Sequence, residues 1–151
     1  MNAAHLHLVF THLPIVGLLF TIIVHIYGMI RRSEELPGLF LMMYVITGIF
    51  GALAYFTGDG AEQILETRFG YAENIIEPHE IWALVFFIGL SVLSVLSAIR
   101  IYFLKKTPFD RKCYVVFLSI ALLVSILALA TGITGGQIRH TENTSITSHP
   151  R

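Results

Sequence analysis

Residues Leu6–Ile30 read LHLVFTHLPIVGLLFTIIVHIYGMI, an apolar run that contains three histidines and a proline but no charged residue. A helix needs roughly 20 apolar residues to cross a hydrocarbon core of ~30 Å, and this run is long enough to do so. In lipid the chain must satisfy its own backbone hydrogen bonds, so a run of this length is predicted to be helical despite its β-branched content. It lacks a basic leader and exceeds a usual signal core, so it is expected to stay in the mature protein.

Three further runs of the same kind follow, Leu39–Phe56, Ile81–Leu104 and Tyr114–Ile133. The 151 residues are 55% hydrophobic and 13% charged, and mean hydropathy is +0.73, a membrane protein's profile. The predicted fold class is an all-α membrane protein, a four-transmembrane-helix bundle. One domain is expected over residues 1–140, with a polar Thr/Ser-rich tail over 141–151 that is mobile unless docked.

Formal net charge is zero, yet its sign is sorted along the chain. Arg31, Arg32, Arg100, Lys105, Lys106, Arg111 and Lys112 flank the connections after the first and third spans. The other connection and the tail hold Asp59, Glu62, Glu66, Glu73, Glu77, Glu80 and Glu142 against Arg68, Arg139 and Arg151. The positive-inside rule then predicts both termini outside, periplasmic for a bacterial inner membrane. Cys113 is the lone cysteine, which excludes an intrachain disulfide and a cysteine-pair metal site. No C-x-x-C-H occurs, so covalently attached haem is excluded, and no phosphate loop, hydrolytic triad or nucleic-acid patch is present.

Several local features shape the expected helices. Pro14 should kink the first helix and free the Phe10 carbonyl, or else start a helix. Gly48 and Gly51 should let a neighbouring helix approach the second. Ala61-Glu62-Gln63-Ile64-Leu65-Glu66 allows a helical extension beyond the membrane. Glu77-Pro78-His79-Glu80 reads as a helix start with Pro78 at its first position.

Twelve residues from Leu53, LAYFTGDGAEQI, align with twelve from Leu127, LALATGITGGQI, and six are identical at an offset of 74. The same offset sets His5 on His79 and Arg31-Arg32 on Lys105-Lys106. The chain therefore reads as two repeated helical hairpins, with halves of about 1–74 and 75–148, related by an axis along the membrane normal. This arrangement would gather His5, His7, His12, Asp59, Glu62, Glu66, His79, Glu80, Gln137, His140 and Glu142 at the outer face. On a regular helix His5 and His12 share one face, while His7 points elsewhere.

Each of these residues also has a plain reading. His12 could be a neutral core histidine bonded to the carbonyl that Pro14 frees, and His79 a helix-start residue at headgroup level. His5, His7 and His140 could be interfacial, and His25 a snorkelling or hydrogen-bonded residue. The acids could be a solvated face, and the glycines could serve helix packing.

The segment His7-Leu8-Val9-Phe10-Thr11-His12-Leu13-Pro14-Ile15 resembles the H-P-x-x-V-H-F-P-I opening of a family of four-helix bacterial membrane domains. Gly132-Ile133-Thr134-Gly135-Gly136-Gln137 is similar to its final glycine motif. Leu8 and Leu13 depart from that pattern. The resemblance implies association with Rieske-type or cytochrome modules, and so redox chemistry near the outer face.

Two chemistries suit the histidines. In a b-type cytochrome two imidazoles from different helices ligate one haem. His12 and His79 are the preferred pair, His5 and His140 alternative ligands, and Arg139 a partner for a propionate. Alternatively His5, His7, His12, His79, Glu80 and His140 could hold one zinc, copper or iron ion, although no H-E-x-x-H or paired E-x-x-H is present. A third reading is a structural subunit or anchor of a respiratory complex. The expected partners are the lipid bilayer and a quinone or periplasmic redox protein. A homo-oligomer is compatible with the sequence, and no nucleic acid is expected.

Overall fold

The computed structural model describes residues 3–69, 73–104 and 106–147, with side chains over 5, 7–64, 76–104 and 106–138. The chain forms five helices: α1 Ala3–Arg31, α2 Leu36–Phe56, α3 Gly58–Phe69, α4 Glu73–Tyr102 and α5 Arg111–Thr147. Four of them are long and apolar enough to cross a membrane. Only 22–33% of the most apolar stretch of each is buried within the protein. The rest forms a continuous belt of exposed Leu, Ile, Val and Phe, far larger than a water-soluble monomer tolerates. Lipid is the solvent that this surface fits.

The spanning helices form a closed antiparallel ring in which α1 lies beside α2, α2 beside α4, α4 beside α5 and α5 beside α1. The α1–α5 seam is the shortest. A lipid-facing groove of about 410 Å³ opens along it, with Ser125, Ala128 and Gly132 on α5 facing Ile15 and Leu19 on α1. By contrast α2 and α4 meet closely. A Cβ on Gly48 would collide with the Ser94 side chain, and one on Gly51 would fall 2.5 Å from Leu90 Cδ2. The neighbour expected at Gly48 and Gly51 is thus α4.

Helix ends follow from local chemistry. α1 stops in a Schellman turn, with Ser33 N–H donating to the Gly28 carbonyl at 3.1 Å and Arg32 N–H to that of Met29 at 3.4 Å, which places Arg32 at φ 51°. Ser33 Oγ then accepts the amides of Glu35 and Leu36 at 3.3 and 3.2 Å and opens α2. Asp110 opens α5 by accepting the Cys113 amide at 2.9 Å. Arg100, though buried, donates to the carbonyls of Leu104 and Thr107 and so closes the end of α4.

Three local expectations change. α4 starts at Glu73, not Pro78, and carries Pro78 inside it; the proline falls in the second turn, where its missing N–H removes a single bond. α1 runs unbroken through the buried Pro14. α5 continues to Thr147, past the expected start of the tail, because no glycine or proline interrupts it between Gln137 and Pro150. The expected helical extension after the second span is α3, which packs chiefly on α1.

Buried positions recur with a regular spacing. On α1 they include Pro14, Leu18, Thr21, His25 and Gly28, and on α4 Phe86, Leu90, Leu93, Ser97 and Arg100, each 72 residues later. On α2 they include Pro37, Tyr44, Thr47 and Gly51, and on α5 Tyr114, Ala121, Val124 and Ala128, each 77 later. The turn between α4 and α5 (residues 103–110) is four residues longer than that between α1 and α2 (residues 32–35), and no single offset, 74 included, relates the buried positions of both helices of a hairpin.

The longer turn carries Phe109, whose ring meets Phe40 at 5.6 Å and Tyr114 at 4.9 Å. Beneath it His25 stacks on Phe40 at 4.0 Å with the planes 5° apart. His25 Nε2–H donates to the Tyr114 carbonyl and Tyr44 O–H donates to Nδ1, both at 3.0 Å. This aromatic plug closes the bundle at the end that bears the α1–α2 and α4–α5 turns.

Candidate functional site

The opposite end of the bundle holds the other described histidines. The buried stripe of α1, followed one heptad back from Pro14, reaches His7 and misses His12. His7 is half-buried, and its Nδ1–H is shared between the Ala54 carbonyl at 3.0 Å and Thr57 Oγ1 at 3.2 Å. The Thr57 hydroxyl donates back to the carbonyls of Leu53 and Ala54, both at 2.9 Å. Each of these groups can play only this part, because a carbonyl oxygen only accepts.

The arrangement occurs a second time. The stripe of α4, followed one heptad back from Phe86, reaches His79, which is also half-buried. Its Nδ1–H is shared between the Thr131 carbonyl at 3.1 Å and Thr134 Oγ1 at 3.2 Å. The Thr134 hydroxyl donates to the carbonyls of Ala130 and Thr131, both at 3.1 Å. In each case a glycine follows the threonine and lies against the imidazole edge. A Cβ on Gly58 would sit 3.7 Å from His7 Cε1, and one on Gly135 3.0 Å from His79 Cε1. The setting of His79 is thus matched by His7, not by His5 as the sequence alignment paired them. The threonine-glycine pair that serves His79 is Thr134-Gly135, one turn beyond the aligned Thr131-Gly132.

The two imidazoles stand near the starts of α1 and α4. Their helices, α1 and α4, stand across the bundle from one another, and each ring is fixed by the other helix of its own hairpin. With Nδ1–H committed, Nε2 carries the lone pair of the neutral ring, and no described residue hydrogen-bonds to either Nε2 atom. An imidazole whose Nδ1–H is tied to a backbone carbonyl has the tautomer and orientation of a metal ligand.

The remaining candidates stand elsewhere. His12 is exposed, with its Nδ1–H donated to the Leu8 carbonyl of its own helix at 2.7 Å. Its expected burial between the hairpins is therefore not found; nor is its bond to the carbonyl that Pro14 would free. His5 is exposed on that same outer face, as the seven-residue spacing requires, and Glu80 and Asp59 are exposed. The side chains of Arg139, His140 and Glu142 lie outside the described residues. Among the described residues no three His, Cys, Asp or Glu side chains come together as metal ligands. His25 uses both ring nitrogens, which leaves no lone pair for a second, inner site.

What the sequence reading missed was His7 as the inward residue. The signal was present in the small and polar residues of the first span. Pro14, Thr21, His25 and Gly28 mark the protein-facing stripe in a helix whose apolar residues point everywhere, and His7 lies on it. No family model matches the chain, and no curated protein or solved structure matches it either.

Proposed function

We propose that the chain is a b-type haem electron carrier of the membrane, with His7 and His79 as the axial pair near the outer face. The observation that carries this reading is the twin setting of the two imidazoles, each oriented through Nδ1–H and each with no described residue bonded to Nε2. Two neutral imidazoles from different helices are the donor set that a bis-histidine haem requires. When bound, haem supplies one-electron ferric–ferrous chemistry. The chain's own residues hold the two rings by the threonine-carbonyl bonds, and Gly135 leaves the edge of His79 the room a side chain would crowd. Arg139, just beyond the fourth span, is the candidate partner for a propionate.

His7 takes the place of His12 as the partner of His79. A non-haem zinc, copper or iron site is the second reading; among the described residues no three His, Cys, Asp or Glu side chains come together. The two hairpins are repeats related by an axis along the membrane normal, a reading supported by the 72- and 77-residue registers and by the twin histidines. The cation-rich turns lie at the cytoplasmic end, so both termini and the histidine pair face the periplasm of a bacterial inner membrane. A quinone or a periplasmic redox protein is then the exchange partner.

The absorption spectrum of the purified protein, after haem supplementation, tests this. A Soret band with sharp reduced α and β bands is expected, lost in His7→Ala and in His79→Ala and kept in His12→Ala. A protein without the Soret band, or one whose band survives both substitutions, overturns the reading. Stoichiometric zinc, copper or iron without haem would then favour the metal site, and neither would leave a structural subunit.

A further inference from the structure

At the plugged end a cavity of about 630 Å³ lies between the α1–α2 turn and the start of α5. Arg32 and Arg111 line it from two separate segments, with Ser33 and Glu34 beside them and Phe109 and Tyr114 on its apolar side. Neither arginine makes an ion pair within the described residues. The spans end at Arg31 and begin at Leu36 and Arg111, so the cavity sits at the depth where lipid headgroups lie.

Arg32 occupies this place against its backbone preference. It fills the left-handed position of the Schellman turn at φ 51°, where glycine is the usual residue and a side chain is disfavoured. The turn is held by backbone amides and by the Tyr114 hydroxyl, which donates to the Ser33 carbonyl at 2.7 Å. That last bond fixes the turn to α5 and so sets Arg32 opposite Arg111. A conformationally disfavoured cation thus lines a cavity together with a second cation, neither of them ion-paired among the described residues.

We infer that this cavity binds the phosphodiester headgroup of an anionic phospholipid, with Arg32 and Arg111 as the anion ligands. Two guanidiniums offer forked donors for phosphate oxygens. With Glu34 also in the lining the local charge is a single positive one, which complements a monoanionic diester better than a dianionic phosphate. The apolar wall of Phe109 and Tyr114 suits the glycerol and upper acyl carbons. Basic pockets at the ends of spanning helices are the usual setting for such recognition. The inference is independent of the haem reading, because it uses none of the outer-face residues.

Thermal unfolding of the detergent-solubilised full chain, followed by circular dichroism, tests it with three probes: dioctanoyl-phosphatidylglycerol, dioctanoyl-phosphatidylcholine and inorganic phosphate. Phosphatidylglycerol is expected to raise Tm in a saturable manner and the other two to leave it unchanged. Arg32→Gly and Arg111→Gln should each weaken the apparent affinity about tenfold or more. Arg32→Gly should at the same time equal or exceed the wild type in Tm without lipid, because glycine relieves the turn. A structural role for Arg32 would give the opposite result, a lower Tm without lipid and an unchanged lipid response, and would overturn the inference. An equal response to phosphatidylcholine, or the full response to inorganic phosphate alone, overturns it as well.

Discussion

At the scale of single residues the protein distinguishes its histidines by which nitrogen is left over. His25 has none, since Tyr44 O–H fills Nδ1 and Nε2–H is donated to Tyr114. Removing one hydroxyl should therefore be felt. Tyr44→Phe keeps the ring packing and leaves a buried Nδ1 without its donor, which is expected to cost about 1–2 kcal/mol. Unfolding of the solubilised protein in a graded denaturing detergent measures this loss. Tyr114→Phe, which keeps the carbonyl bond to His25, should cost less. That a histidine of the first helix faces the protein at the end opposite the turns was legible in the sequence, but which one was not. Depth was inferred from position along the chain, whereas the deciding variable is the face of the helix, and His7 and His12 lie about 140° apart on it.

At the scale of elements, caps and close approaches decide where helices begin and how they meet. Asp110 is exposed and its carboxyl is held below the ordinary value of 3.8, first by the Cys113 amide and then by the Cys113 side chain. A carboxyl held low in the folded state stabilises it above the ordinary pKa and loses that contribution as pH falls through the lower folded value. In melts recorded downward from pH 6, Asp110→Asn should start below the wild type, and the difference should close in acid. Gly48 faces Ser94 across the α2–α4 contact, with no room for a side chain. Gly48→Leu is expected to destabilise the bundle by about 3 kcal/mol or to abolish folding, whereas leucine at the exposed Gly38, where nothing lies within 4 Å, should not. The four spans were legible because lipid allows few alternatives. The start of α4 was misread because proline is a signal for the whole first turn and slightly beyond, and the extent of α5 because polar composition says little about backbone conformation.

At the scale of the whole molecule the ring of helices and its sidedness can be checked together. In a chain with Cys113 replaced by serine, single cysteines at Asp59 and Glu77 are expected to react with an impermeant maleimide added outside cells. Cysteines at Glu34 and Lys106 should react only after permeabilisation. The reverse pattern would invert the bundle and remove the histidine pair from the periplasmic side. The presence of a repeat could be suspected from sequence, because six of twelve residues agree, but its register could not. Thr131-Gly132 and Thr134-Gly135 lie one turn apart on the same helix, and identity alone cannot tell which of them meets an imidazole. The longer second turn shifts the buried positions of one helix against those of the other, so a single sequence offset does not bring both into line.

That longer turn brings Phe109 over Phe40 and Tyr114 and so stoppers the bundle at one end, while the paired imidazoles stand at the other. The haem proposed above, if held at that far end, would trade charge with a single compartment. Its turnover would then move no charge through the bilayer, neither drawing on the transmembrane voltage nor adding to it.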